Sequence, residues 1–373
     1  MKHHRLWVGV PMLFVALVTI VFPSLAFATG SSYIGQFHTI STLASTVPPN
    51  GDVNPYGVAV VPRTLGNLTQ GNILVSNFNA KSNLQGTGTT IVQVTPSGKT
   101  TLFAQIDASH LPGPCPGGVG LTTALVVLQR GWVIVGSLPT TDGMSDTAKA
   151  GCLLVLNSWG KVVETFAGSP INGPWDMAAF DQDAVAALFV TNVLNGTVDG
   201  NGKVVNKGTV IRIVIKIPQQ GDGIPGRVST TVIGSGFSER TDPAALVIGP
   251  TGVALSSTET LYIADSLNNR IAAIPHALDR DDTAHAGNDV TANGFLNDPL
   301  GLTIAPNGDI LTVNGNNGKI VETTPGGTQI ARKFLDKSGS PPGAGTLFGL
   351  AIIPGGKGVY FVDDGTNTLN ILN

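Results

Sequence analysis

Three short motifs recur in the same order six times along this chain, and that recurrence restricts its fold more than any other property. The first is a turn, usually carrying Gly, that feeds a short apolar strand: Pro55-Tyr56-Gly57-Val58-Ala59-Val60, Gly120-Leu121, Pro174-Trp175-Asp176-Met177-Ala178, Pro250-Thr251-Gly252-Val253-Ala254, Pro299-Leu300-Gly301-Leu302 and Leu347-Phe348-Gly349-Leu350-Ala351. The second is an apolar strand that usually ends in Asn or Asp; its copies end at Asn77, Ser137, Asn192, Asp265, Asn314 and Asp363. The third is a strand after a polar turn, starting at Thr90, Cys152, Thr209, Arg270, Lys319 and Thr368. Pro299 follows Pro250 by about 49 residues, close to one propeller blade, and loops stretch the earlier copies.

A fourth strand follows in several copies: Thr100–Gln105, Lys161–Phe166, Val228–Ile233 and Thr328–Phe334. In the fourth copy it is poorly defined within Ala284–Thr291. In the sixth it is missing, because the sequence stops at Asn373 just past the third strand. The alternating segment Tyr33–Leu43 has no copy of its own, and pairing it with the last three strands would leave no open sheet edge. The expected fold is therefore all-β: a six-bladed β-propeller of four-stranded antiparallel blades, closed by the N-terminal strand in the last blade. The 48 Gly and 24 Pro residues suit many short strands and tight turns, and 42% hydrophobic residues are ample for a core.

The first 28 residues read as a secretory signal: Lys2, His3, His4 and Arg5, an apolar run from Leu6 to about Phe22, then Ala26-Phe27-Ala28. An uncleaved anchor is the competing reading, since the run could span a bilayer. The expected mature protein is a single domain from Thr29 to Asn373, monomeric, secreted or periplasmic, and off the membrane after cleavage. Only 12% of residues are charged and the net charge is −3, which argues against a nucleic-acid partner. An exported chain meets an oxidising compartment, and Cys115 and Cys152 fall on one face of the second blade, so a disulfide between them is expected over two unpaired thiols.

Pro250-Thr251-Gly252-Val253-Ala254, Leu261-Tyr262-Ile263-Ala264-Asp265 and Asn268-Asn269-Arg270-Ile271 resemble the NHL repeat, which runs P-x-G-V-A, L-Y-V-A-D, N-N-R-I. The resemblance covers essentially all of the mature chain as a repeat pattern and is weakest in blades 2 and 3. It implies the six-bladed plan shared with the SMP-30/gluconolactonase-like and streptogramin-lyase-like propellers. In the gluconolactonase-like relatives a metal sits in the channel mouth.

In such blades the start of the first strand and the end of the second share a face. This places Tyr56, Trp175, Asp176, Asp298 and Phe348 near Asn77, Ser137, Asn192, Asp265, Asn314 and Asp363. The second group is expected to ring the channel mouth, where oxygen ligands could hold Ca²⁺. A strand-end Asn or Asp also commonly caps its own turn. Only Asp265 and Asp363 bring formal charge, which is thin for a divalent cation, so no cofactor is assigned. Tyr56 and Trp175 are candidates to floor a pocket for a sugar or another ring, whereas Phe348 reads as packing.

Other chemical motifs fail on their context. Gly98-Lys99-Thr100 lacks the upstream Gly of a phosphate loop, with Gln at position 93. Asp199-Gly200-Asn201-Gly202 lacks the calcium loop's closing Glu, since position 210 is Val. The histidines His38, His110, His276 and His285 are scattered, with only His110 on the ligand face. Tyr33–Asn54 contains no Glu where lactonase-like relatives carry a metal ligand. The leading expectation is a ligand- or protein-binding propeller using Tyr56, Asn77, Trp175, Asn192, Asp265, Asn314 and Asp363, its partner a small molecule or an exported protein. The alternative is a Ca²⁺-dependent hydrolase or lyase of the gluconolactonase-like type with unassigned catalytic residues.

Overall fold

The structure is a computed structural model that describes residues 31–373; the expected signal peptide lies outside the described residues. Within them, six antiparallel sheets follow one another around a ring. The innermost strands run, from blade 1 to blade 6, over Val53–Val60, Leu121–Val127, Pro174–Asp181, Pro250–Leu255, Pro299–Ile304 and Leu347–Ile352. Each touches its neighbour, and the sixth touches the first, so the ring is closed. The second strands, such as Ile73–Asn79 and Leu261–Asp265, are buried along their length between adjacent blades, save for Val185 at the start of the one in blade 3. That burial explains their near-continuous apolar sequence, in place of the alternation seen when one face of a sheet meets water.

Every innermost strand carries an irregularity just after its start, for example between Pro55 and Val58 and between Pro299 and Leu302. The repeated Gly falls there. A Cβ on Gly349 would lie 2.1 Å from the Tyr56 carbonyl oxygen, and one on Gly301 would lie 2.0 Å from that of Phe348. The glycine is thus what lets neighbouring blades meet backbone to backbone around the axis.

The ring closes through Ile40–Ser45, which pairs antiparallel with Thr368–Leu372 as the outermost strand of blade 6. The expected closing segment began earlier, at Tyr33. Residues Ile34–Gln36 instead form a 3-10 turn against blade 5. There the Glu322 carboxylate accepts hydrogen bonds from the backbone N–H of Tyr33 (2.6 Å) and Ile34 (2.9 Å).

Two blades depart from the expected strand plan. The outer strand of blade 4 is Asn288–Ala292. In blade 3 the fourth strand is 17 residues long, Gly226–Asp242, and its end turns back through Leu246–Ile248 to make a fifth strand. This extra hairpin rises over the face on which the innermost strands begin, here called the front face. Cys115 and Cys152 are disulfide-bonded, with their Cα atoms 5.2 Å apart.

Candidate functional site

A cavity of about 630 Å³ opens on the front face around the axis. Its floor is aromatic. Tyr56 stacks on Phe348 (3.9 Å between centroids) and on Phe78 (4.4 Å), and meets Trp175 edge-on at 6.0 Å. Tyr56, Trp175 and Phe348 occupy the same position in three blades, one residue past the pair at Pro55, Pro174 and Leu347 where the strand register shifts. Phe348 was expected to serve only in packing; it packs on Tyr56 and also lines the cavity.

The wall combines amides with charged groups. Asn54 and Asn79 sit opposite Arg240 and Asp242 of the blade 3 hairpin, and Gln85 ties the two sides by donating from Nε2 to the Pro243 carbonyl (3.2 Å). Arg240 and Asp242 form an ion pair at 2.7 Å. Asp298 and Asp364 complete the acidic side. Burial pushes the Asp298 carboxyl up to about 6, with Asp242 adding to the shift and Arg240 opposing it. Burial and the nearby Asp363 push Asp364 up to about 7. Burial, reinforced by Asp364, also raises the Tyr56 phenol well above its usual range.

Two acceptors in this wall are left over. Asn79 Nδ2 donates to Asn83 Oδ1 (2.8 Å), which leaves Asn79 Oδ1 buried and without a partner; Asn54 Oδ1 is in the same state. A buried acceptor left without a donor costs about 1–3 kcal/mol, and both oxygens lie beneath the cavity surface and not on it.

The sequence-predicted residues divide into two sets. Tyr56 and Trp175 line the cavity, and so does Asp298. Asn192, Asp265, Asn314 and Asp363 end their second strands as expected, and Asn77 lies two residues before the end of Ile73–Asn79, but they do not ring the mouth, because their side chains turn into the blades. Asn77 donates to the Thr46 carbonyl (3.1 Å), and Asn192 accepts from the Asn172 N–H (3.2 Å). Asp265, fully buried, is held by Arg270 Nε at 2.8 Å and by Asn268. Asn314 donates to the Phe295 carbonyl (2.8 Å), and Asp363 accepts from the Thr366 N–H (3.1 Å). Ser137 likewise accepts from the Gly120 N–H. Asp176, expected at the same mouth, lies beneath the aromatic floor. His110 is exposed and pairs with Asp107 outside the cavity.

These strand-end oxygens do not fit a bound Ca²⁺. They are spread over five blades: Asp265 is paired with Arg270, the Asn192 and Asp363 oxygens accept from backbone N–H groups, and Asn77 Oδ1 and Asn314 Oδ1 are buried apart from one another. Among the described residues, no group of three or more His, Cys, Asp or Glu side chains is placed to hold a metal ion. Among the described residues, moreover, no helix is long and apolar enough to cross a membrane.

No family model matches the chain, and no curated protein matches its sequence. Solved structures do match. A gluconolactonase from Xanthomonas campestris is 15% identical with a TM-score of 0.54, covering 90% of this chain and 88% of that one. A calcium-binding protein, regucalcin, from Agrobacterium tumefaciens is 13% identical with a TM-score of 0.56, covering 90% and 94%. Virginiamycin B lyase from Staphylococcus aureus is 14% identical with a TM-score of 0.50, covering 90% and 99%. Likeness at these identities establishes the six-bladed propeller expected from the repeats.

Proposed function

We propose that this chain is an exported propeller that binds a small polyhydroxylated ring, a sugar or a sugar-derived lactone, in the front-face cavity. The observation that carries this reading is a cavity lining that sets the aromatic Tyr56, Trp175 and Phe348 beside the amides Asn83, Gln85 and Asn316 and the carboxyls Asp298 and Asp364. Ring C–H faces pack on aromatic surface while hydroxyls pair with amides and carboxyls, and about 630 Å³ is the usual size of a small-molecule pocket. The disulfide supports export.

A second reading, hydrolysis of a cyclic ester, has its own support. Asp298 and Asp364 share the cavity with carboxyls raised to about 6 and 7, the range in which an acid can pass a proton near neutrality. The solved neighbours that include a gluconolactonase give it further weight.

One titration separates the readings. Tryptophan fluorescence and thermal shift are followed against a panel of monosaccharides and aldonolactones, with lactone opening assayed in parallel and with EDTA or Ca²⁺ added. Binding is expected for at least one member, weakened about tenfold or more by Trp175→Ala, since a stacked aromatic anchor contributes about 1.5 kcal/mol or more. Turnover abolished by Asp364→Asn with binding retained would select the hydrolase. No response to any member of the panel would remove both readings. Neither EDTA nor Ca²⁺ is expected to move the melting temperature.

A further inference from the structure

Below the aromatic floor the axis continues as a second cavity of about 430 Å³, lined by all six innermost strands. It opens toward the back face between the half-buried side chains of Val60, Leu255, Ile304 and Ile352. Its lining side chains are mainly aliphatic, with the hydroxyls of Thr123 and Thr303 among them and one ionisable group, Asp176, at the closed end. In blades 1, 4, 5 and 6 the third residue of the first motif is Gly57, Gly252, Gly301 and Gly349; in blade 3 it is Asp176.

That carboxyl has no cationic partner. Its oxygens accept from the backbone N–H of Met177 (2.8 Å) and of Val253 in the next blade (3.1 Å). Val185–Asn192 behind it, and Leu121–Val127 and Pro250–Leu255 on either side, carry no ionisable residue. Over all six innermost strands the other ionisable groups are Tyr56 in the front floor and Asp181 at the far end of the Asp176 strand. A buried acid without a counter-charge is costly unless something supplies that charge. Here a tube lined mainly by aliphatic side chains leads from the surface to that acid.

We infer that the back channel binds an amphiphilic monocation, a primary alkylammonium, with its ammonium on the Asp176 carboxylate and its alkyl chain along the Val, Leu and Ile wall. The volume far exceeds one alkali ion, and beyond Asp176 the side-chain oxygens of the wall are the neutral hydroxyls of Thr123 and Thr303. An alkyl tail, by contrast, gains about 0.8 kcal/mol for each CH₂ it buries. Burial pushes the Asp176 carboxyl up to about 7, so the site loses its charge in mildly acidic solution. The inference does not depend on what the front cavity holds.

The test titrates the full chain with n-hexylammonium by calorimetry, with 1-hexanol and hexanoate as uncharged and anionic controls. Hexylammonium is expected to bind at least about tenfold tighter than hexanol, and about tenfold weaker at pH 6 than at pH 8, because the carboxylate must be ionised while the amine stays protonated throughout. Asp176→Asn and Asp176→Gly, the second being the residue of four sister blades, should each remove that preference. Asp364→Asn in the front cavity should leave it intact. Equal affinity for hexanol and hexylammonium overturns the assignment. So does wild-type affinity in a folded Asp176 variant, or a matching loss in Asp364→Asn. Should neither Asp176 variant fold, the charge preference and pH dependence of the wild-type chain decide alone.

Discussion

At the scale of single residues, the repeated glycine and the strand-end Asn or Asp carry most of the fold's information and little of the site's. Gly349 shows why. Its place is fixed by the Tyr56 carbonyl, 2.1 Å from where a Cβ would sit, and backbone on the far side cannot rotate away. Gly349→Ala is expected to cost about 3 kcal/mol or more, measured as a shift of the denaturation midpoint, by forcing blades 6 and 1 apart. Gly71, with open space around its Cβ position, has a positive φ of 82° and should lose far less on the same change. The strand-end residues were visible in the sequence as a set, but their direction was not. Whether Asn192 faces the axis or its own turn depends on which backbone N–H lies free nearby, here that of Asn172, and composition does not report that. Asn54 and Asp298 did leave a trace. Both precede proline in the sequence, and both adopt a positive φ, 61° and 58°, which Asn and Asp tolerate best among residues bearing a side chain.

At the scale of elements, the ring and its disulfide were legible, whereas the blade 3 hairpin was not. The segment Ser238-Glu239-Arg240-Thr241-Asp242 reads as a polar loop, because its strand faces a cavity and solvent on one side and buries Glu239 on the other. Without an apolar alternation, no period marks it as strand. That is why Arg240 and Asp242 escaped the sequence reading although they form one wall of the site. The disulfide, in contrast, follows from register: Cys152 opens the third strand of blade 2, and Cys115 lies in the link that enters the same blade. The bridge closes a loop across a sequence separation of 37 residues, for which chain entropy predicts about 3–4 kcal/mol. Replacing both cysteines with serine should lower the unfolding free energy by about that amount in urea, with the front cavity unchanged. A loss below about 1 kcal/mol would mean that blade 2 is held by its neighbours alone.

At the scale of the whole molecule, the packing that makes the ring also buries carboxyls that nearby cations do not offset, and this sets how stability responds to pH. Burial raises Asp176 to about 7, Asp298 to about 6, Asp364 to about 7 and Glu239 to about 8, against about 4 for such groups in an unfolded chain. Glu239 is the most enclosed: Oε1 accepts from the Asn195 N–H at 3.0 Å, while Oε2 has no partner. Between pH 4 and 8 the folded state therefore holds more protons than the unfolded one, so the unfolding free energy falls as pH rises. The depressed carboxyls, Asp107, Asp142 and Asp183 at the surface and Asp336 and Glu322 more enclosed, exert the opposite slope at the acid end of that window and below it. The ligand-free protein should thus be most stable in mild acid and lose, in total, on the order of several kcal/mol by pH 8. Denaturant midpoints across pH 4.5 to 8.5 measure this directly. Glu239→Gln keeps the hydrogen bond to Asn195 and cannot ionise, so it should exceed the wild type at pH 8 and match it near pH 5. A midpoint that rises with pH, or a Glu239→Gln variant weaker than wild type at pH 8, would show that these carboxyls find cationic or solvent partners in the folded ring.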